Sequence, residues 1–195
     1  MEQSLHKHFK LFKPYGYISQ MLSNDERQAR KKNFLSELFN FPENVMAIGR
    51  LDEKSEGLLL LTTDGKLSDS INRSGIEKEY YAQVDGSITS EAIQNMQEGV
   101  EIGINGKKYK TKPCLVKKLE KIPNLPLRKK KLRDDRHGPT SWISITITEG
   151  KFRQVRKMTS AVGYPTLRLV RVRVGTVLLD NLEPGDVVQL DTILG

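Results

Sequence analysis

Chemistry in this chain would start at one carboxylate. Asp52 lies in the stretch GRLDEKSEGLLLLTTDG, residues 49–65, in a short connection between two apolar segments, the second opening on four leucines. A carboxylate held that close to a sheet loses hydration and needs a cation or hydrogen-bond donors to stay charged. An ionised Asp so placed serves as a nucleophile or a base. The same spacing also suits a solvated, turn-forming Asp at the mouth of a core strand, and pattern alone leaves both readings open. Arg50 is too near in sequence to face Asp52. The segment KFRQVRK, residues 151–157, offers Arg153 and Arg156 instead, and Arg suits a bidentate carboxylate pair. Glu53 and Glu56 read as solvated.

Other chemistries find little support. His6, His8 and His137 fall in an expected floppy terminus and an expected mobile loop, with no third ligand near the first two. The single cysteine, Cys114, excludes an internal disulfide and a cysteine-based metal cluster. The motifs G-x-S-x-G and H-E-x-x-H are missing, and no Gly-rich phosphate loop follows a strand. The N-terminus lacks a signal-peptide core, and no apolar run approaches the roughly 20 residues a membrane span needs. No membrane partner and a cytoplasmic setting are expected. The charge is more telling: 32 Lys and Arg against 24 Asp and Glu give +8, clustered at 27–32, 107–112, 128–133, 151–157 and 168–173. Such clusters suit a polyanion, nucleic acid above all, though a generic basic surface has the same composition.

The elements that must hold these residues follow from periodicity. Residues 13–20 read as a strand opening with a Pro–Tyr–Gly turn. A helix is expected from Glu26 to Phe39, capped by Ser23 or Asn24, with Phe34, Leu35 and Leu38 inward. Strands follow at 45–50 and 58–63, a weak helix at 66–74 and a strand at 77–86. Thr89 caps a short helix to about Gln97, and Asn105–Gly106 signals a hairpin. SWISITITEG alternates, with Ile143, Ile145 and Ile147 on one face. The strongest helix spans 152–162, burying Phe152, Val155, Met158 and Val162 and stopping at Gly163. A strand at 168–175 and a last one at 187–190 complete an α+β chain with a largely antiparallel sheet. Residues 121–138, with two prolines and a charge run, read as a basic mobile loop.

Four segments, in order, resemble a known family. FKPYGYISQ (12–20) is similar to its K-P-x-G opening, and GRLDEKSEGLLLLTTDG to its signature around an essential Asp. KEYYAQVDG is similar to its tyrosine-bearing strand. EGKFRQVRKM (149–158) with LRLVRVRVG is similar to its last helix and basic strand. The chain thus resembles the ribosomal RNA pseudouridine synthases, a family that includes an enzyme of the small ribosomal RNA and the B, E and F types that act on the large one. The likeness is greatest to the E type. Ser55 stands where Thr is usual, Thr63 where Asn is common, and Phe152 where Asn or Tyr is common. With twelve residues before Lys13, an N-terminal S4 domain is not expected, and 1–195 reads as a single catalytic domain.

The resemblance implies two subdomains around a cleft and isomerisation of a uridine in ribosomal RNA, 23S rRNA or a pre-ribosomal particle, by a monomer without cofactor or metal. Asp52 takes the essential role, Arg156 pairs with it, and Tyr80 stacks on a base drawn out of the RNA. Lys13, Arg50, Arg153, Gln154, Lys157, Leu169 and Arg171 are expected to shape the pocket or hold RNA. Two other readings stay open: a silent ribosome-assembly factor, and a transfer-RNA synthase of the same fold.

Overall fold

The computed structural model describes residues 6–128, 132 and 137–193. It divides into two compact units, one formed by the chain up to Ile76 together with Arg171 onward, the other by Glu77–Val170. Part of the expected mobile loop, residues 129–131 and 133–136, lies outside the described residues.

The first unit is built on the leucine run. Strand β1 (His8–Lys13) is followed by helix α1 (Glu26–Lys31), strand β2 (Met46–Ile48), strand β3 (Glu56–Thr62) and helix α2 (Gly65–Arg73). Every residue of β3 is buried, as a continuous apolar run predicts for a central strand. β1 pairs antiparallel along it from His8↔Thr62 to Lys13↔Gly57. That register brings Lys13 to the end of β3 at which the Asp52 loop enters. β2 pairs with the C-terminal half of β3, from Met46↔Thr62 to Ile48↔Leu60, so residues 49–55 must travel back along β3. Asp64 caps α2, accepting from the backbone N–H groups of Lys66 and Leu67.

Four expectations are corrected in this unit. The first strand is 8–13, not 13–20; the residues after Lys13 turn at Pro14–Gly16. The helix expected to reach Phe39 ends at Lys31 and is capped by Asp25, whose carboxylate accepts from the Gln28 N–H at 2.9 Å. It buries no residue, so nothing holds a longer helix together, and Leu35–Glu37 forms a separate 3-10 turn. His8 belongs to β1 rather than a floppy tail and is buried, its Nδ1 lying 2.9 Å from Thr62 Oγ1. Glu56 is not solvated either: it is 2% exposed.

The second unit runs through β4 (Lys78–Asp85), α3 (Ser90–Glu98), β5 (Glu101–Ile104), β6 (Lys107–Lys110), β7 (Leu115–Lys118), β8 (Thr140–Ile147), α4 (Gln154–Ala161) and the start of β9 (Thr166–Val174). β8 lies between β4 and β7, antiparallel to both. Tyr80, Ala82 and Val84 alternate into the core. Thr89 caps α3 through the Ala92 N–H at 3.2 Å. Asn105 and Gly106, both at positive φ, turn β5 into β6 as an Asn–Gly hairpin should.

Helix α4 departs from expectation at its start. Arg153 adopts the left-handed conformation, φ 53° and ψ 36°, which breaks the helical phase before Gln154. Phe152 therefore falls off the buried stripe and is 66% exposed, while Val155 and Met158 are buried as expected. Val162 is only half-buried. Gly163, φ 88°, ends the helix as the sequence suggests.

β9 returns the chain to the first unit, where β10 (Val177–Leu178) folds back on it and β11 (Val187–Leu190) pairs antiparallel with β1. The fold is α+β, with antiparallel ladders inside each unit. One basic cluster changes meaning: Arg168 and Arg171 are 7% and 3% exposed, so residues 168–173 are not an open cationic strip.

Candidate active site

The Asp52 loop is held through its backbone. Lys13 ends β1 with a fully buried side chain, and its Nζ donates to the carbonyls of Pro14 at 2.9 Å and Tyr17 at 2.6 Å. These bonds close the Pro14–Tyr15–Gly16 turn over the lysine. Gly16 sits at φ 89°, a conformation that only glycine takes easily, and its N–H donates to the Glu53 carbonyl at 2.8 Å. Three residues on, the Ser19 hydroxyl donates to the Leu51 carbonyl and accepts from the Leu51 N–H, both at 2.9 Å. The Asp52 carbonyl accepts from the Ser55 N–H at 2.9 Å. The residues on both sides of Asp52 are thus bonded to the segment after β1, and Lys32 pairs with the Glu53 carboxylate at 2.5 Å.

Charge is concentrated beneath this loop. Burial pushes the Lys13 ammonium down from 10.5 to about 7, against the pull of Glu56 and Asp52 and with a further push from Arg171. Arg171 is itself buried and donates from Nε to the Leu58 carbonyl at 2.7 Å. Lys13, Asp52, Glu56 and Arg171 therefore form one electrostatic neighbourhood in the first unit, while Arg50 is exposed.

The remaining expected site residues belong to the second unit. Tyr80 is 8% exposed in β4, opposite Ile145. Arg156 is half-buried and donates from Nη1 to the Thr166 carbonyl at 3.3 Å. Leu169 is buried. Gln154 is buried as well: its amide donates to Glu149 Oε1 at 2.6 Å and accepts from the Lys151 N–H at 3.0 Å. Glu149 also accepts from the Tyr109 hydroxyl and from the Lys112 N–H at 2.9 Å. Burial raises the Glu149 carboxyl, but these bonds and the charge of Lys151 outweigh it and hold the group below its ordinary value. Lys157 donates to the Gly103 carbonyl at 2.7 Å, tying α4 to β5.

Sequence reasoning missed the structural places of Ser19, Glu56 and Glu149: Ser19 bonded to the Asp52 loop, Glu56 buried near Lys13, and Glu149 gathering Tyr109, Lys112 and Gln154. Ser19 and Glu149 stand inside the quoted motifs, but nothing in their spacing reveals partners 32 and 40 residues away. Two other features do not serve chemistry. Burial first, then the nearby Glu149, pushes the Cys114 thiol up to about 11, which leaves it a poor nucleophile. An open hollow of about 770 Å³ beside α3 is lined by Glu91, Glu98 and Glu101 together with Lys110, and Glu101 is paired with Lys108 at 2.8 Å, so it gathers no surplus of cations for a phosphate. Among the described residues no His, Cys, Asp and Glu side chains group to hold a metal ion, and no helix is long and apolar enough to cross a membrane.

An α+β scaffold with a carboxylate pinned beside buried cations in one unit, and a cationic helix in the other, defines a class whose members are found by comparison. Residues 8–161 match the RNA pseudouridylate synthase family. The chain is 43% identical over 176 residues to the ribosomal large subunit pseudouridine synthase E of Xanthomonas axonopodis pv. citri (strain 306), covering 89% of this chain and 88% of that one. It is 32% identical over 185 residues to the ribosomal large subunit pseudouridine synthase B of Bacillus subtilis (strain 168), covering 94% and 67%. A crystal structure of a pseudouridylate synthase, 29% identical, superposes with a TM-score of 0.72 over 95% of this chain and 70% of that one. This chain belongs to the RNA pseudouridylate synthase family.

Proposed function

We propose that the protein isomerises a uridine of ribosomal RNA, in the large-subunit RNA, to pseudouridine, and that it does so as a cytoplasmic monomer with Asp52 as the essential group. The reaction breaks the bond from the ribose carbon to uracil nitrogen, turns the base, and rejoins the same ribose to a ring carbon. The proton on that carbon leaves and the freed nitrogen gains one, so the sum is an isomerisation with no oxidant, reductant or net water. The observation that carries the reading is the fixation of the Asp52 loop: Leu51 and Glu53 are tethered by Ser19 and Gly16 while Lys13 lies buried beneath. A reacting carboxylate has to be held within a fraction of an ångström to be effective, and backbone tethers achieve that.

Asp52 acts either on the ribose carbon as nucleophile or on a sugar proton as base. Arg156 supplies its countercharge, and Tyr80 stacks on the uracil and assists the closing proton transfer. Arg50, Arg153, Lys157 and the clusters at 107–112 and 128–133 meet phosphates, offsetting the few kcal/mol needed to unstack the base. The test is Asp52→Asn, assayed for pseudouridine in ribosomal RNA. Product should vanish while RNA binding stays near that of the wild type. Undiminished product removes Asp52 from the mechanism, and a lost site that maps to transfer RNA removes the substrate class.

A further inference from the structure

A phenylalanine with 66% of its surface in solvent, on a segment fixed by buried polar groups, calls for a partner. The 149–154 segment is closed on itself by Gln154, whose amide reaches both Glu149 and the Lys151 backbone. Glu149 in turn gathers Tyr109 and Lys112 from the region of β6. Arg153 is held in a left-handed conformation that costs a non-glycine residue about 1 kcal/mol or more and persists only where its surroundings impose it. The result is that Phe152 is aimed outward although Val155 and Met158, a turn further on, are buried.

One cation lies over the ring, and others stand on the segment that carries it and on its neighbour. Lys157 Nζ lies 5.1 Å from the Phe152 centroid, and Lys151 Nζ lies 4.9 Å from the Tyr109 ring. Lys112 and Lys151 are exposed, and Arg153 adjoins Phe152 in the chain. An exposed aromatic ring with lysines close by is how proteins hold single-stranded nucleic acid: bases stack on the open face of the ring, and cations take the neighbouring phosphates. An apolar protein partner would gain from the ring but would have to desolvate the lysines around it.

We propose that Phe152 is a stacking platform for an unpaired RNA base, with Lys151, Lys157 and Lys112 holding the flanking phosphates. The proposal rests on the RNA-directed function above and adds to it a contact outside the reacting residues. Because stacking is not electrostatic, removing the ring should weaken binding without changing its salt dependence.

The test is binding of fluorescein-labelled oligouridylate to the full chain, read by fluorescence anisotropy across a salt series. Phe152→Ala should weaken binding about 5- to 100-fold at every salt concentration with the slope of log K against log salt unchanged. Phe152→Tyr should bind like the wild type, and Phe152→Leu like Phe152→Ala. Lys151→Met should lower the slope by about 0.7. Melting temperatures equal to that of the wild type exclude misfolding, as expected for so exposed a side chain. If Phe152→Ala or Phe152→Leu binds as the wild type does, the platform is wrong. That outcome leaves the proposed reaction intact, since pseudouridine formation by the wild type and its loss in Asp52→Asn are scored separately.

Discussion

The loop that carries Asp52 and the segment that carries Phe152 are both anchored by a buried polar side chain reaching back to backbone, yet the anchors differ in kind. Under Asp52 the anchor is Lys13, an ammonium buried among Glu56, Asp52 and Arg171 and poised near neutrality. Behind Phe152 the anchor is Gln154, a neutral amide joined to a single carboxylate, with lysines outside. Charges buried together interact strongly, because little water screens them. Charges left at the surface act weakly one by one but together attract a polyanion. The first arrangement suits a reacting carboxylate, the second a surface that grips and releases RNA.

Removing the charged anchor should do most to undo this contrast. Lys13→Met leaves the Pro14 and Tyr17 carbonyls without their donor and Glu56 with one less cation in a buried setting. A loss of about 3 kcal/mol or more is expected, read as a melting temperature lower by about 10 °C. A variant as stable as the wild type would mean that Lys13 does not organise the loop.

Titration tests the same anchor more finely. Its folded-state pKa, about 7, lies below the ordinary 10.5, so between those values the unfolded chain binds a proton that the native chain does not. Stability contributed by this group therefore rises with pH across that window and is flat below about 7. Denaturant titrations at about pH 7 and about pH 9 should show the wild type gaining about 2 kcal/mol more than Lys13→Met over the interval. Equal gains in the two proteins would show that Lys13 titrates as an ordinary surface lysine.

The two loops also differ in how far sequence alone discloses them. The leucine run, the alternating strands and the Asn–Gly hairpin are local patterns, and each appears in the structure close to where periodicity puts it. Asp52 stands out for the same reason, since its neighbours flank it in sequence. Its tethers do not, because Ser19 meets Leu51 and Gly16 meets Glu53 only once β1 and β3 are in register. Glu56 reads as solvated because a glutamate between a serine and a glycine has no local mark of burial; the cations that accompany it come from β1 and β9. Phe152 is misplaced for a different reason. Helical spacing puts it on the buried stripe, and a single left-handed residue, Arg153, removes it.

A smaller effect separates holding the loop from folding the unit. Ser19→Ala removes both bonds to Leu51, which should lower stability by about 1–2 kcal/mol. With Asp52 as the essential group, the loosened loop should also lower kcat about 10- to 100-fold with little change in KM. Ser19→Thr keeps a hydroxyl and should recover most of both losses. A fall in stability with kcat unchanged would make Ser19 a structural residue only.

A weaker effect still is expected at the second anchor, and its pH dependence tells the two apart. Glu149→Gln keeps the shape of the side chain but discharges the group that accepts from Tyr109, Lys112 and Gln154. The site is half-buried and solvent screens it, so about 1 kcal/mol is expected at neutral pH. Burial acts against the carboxylate, but its hydrogen bonds hold the folded-state pKa below the unfolded one. The stabilisation is therefore present above about 4.5 and fades as pH falls through the folded-state value. Melts of the wild type and Glu149→Gln should thus differ at about pH 7 and draw together as the pH falls below the ordinary 4.5 and through the lowered folded-state value. Lys13→Met runs the other way, its window lying wholly above neutrality, so that acid should close the gap at Glu149 and leave the titration difference at Lys13 untouched. A Glu149 gap that persists undiminished in acid would show that the anchor works by packing, and the distinction between a charged and a neutral anchor would then rest on Lys13 alone.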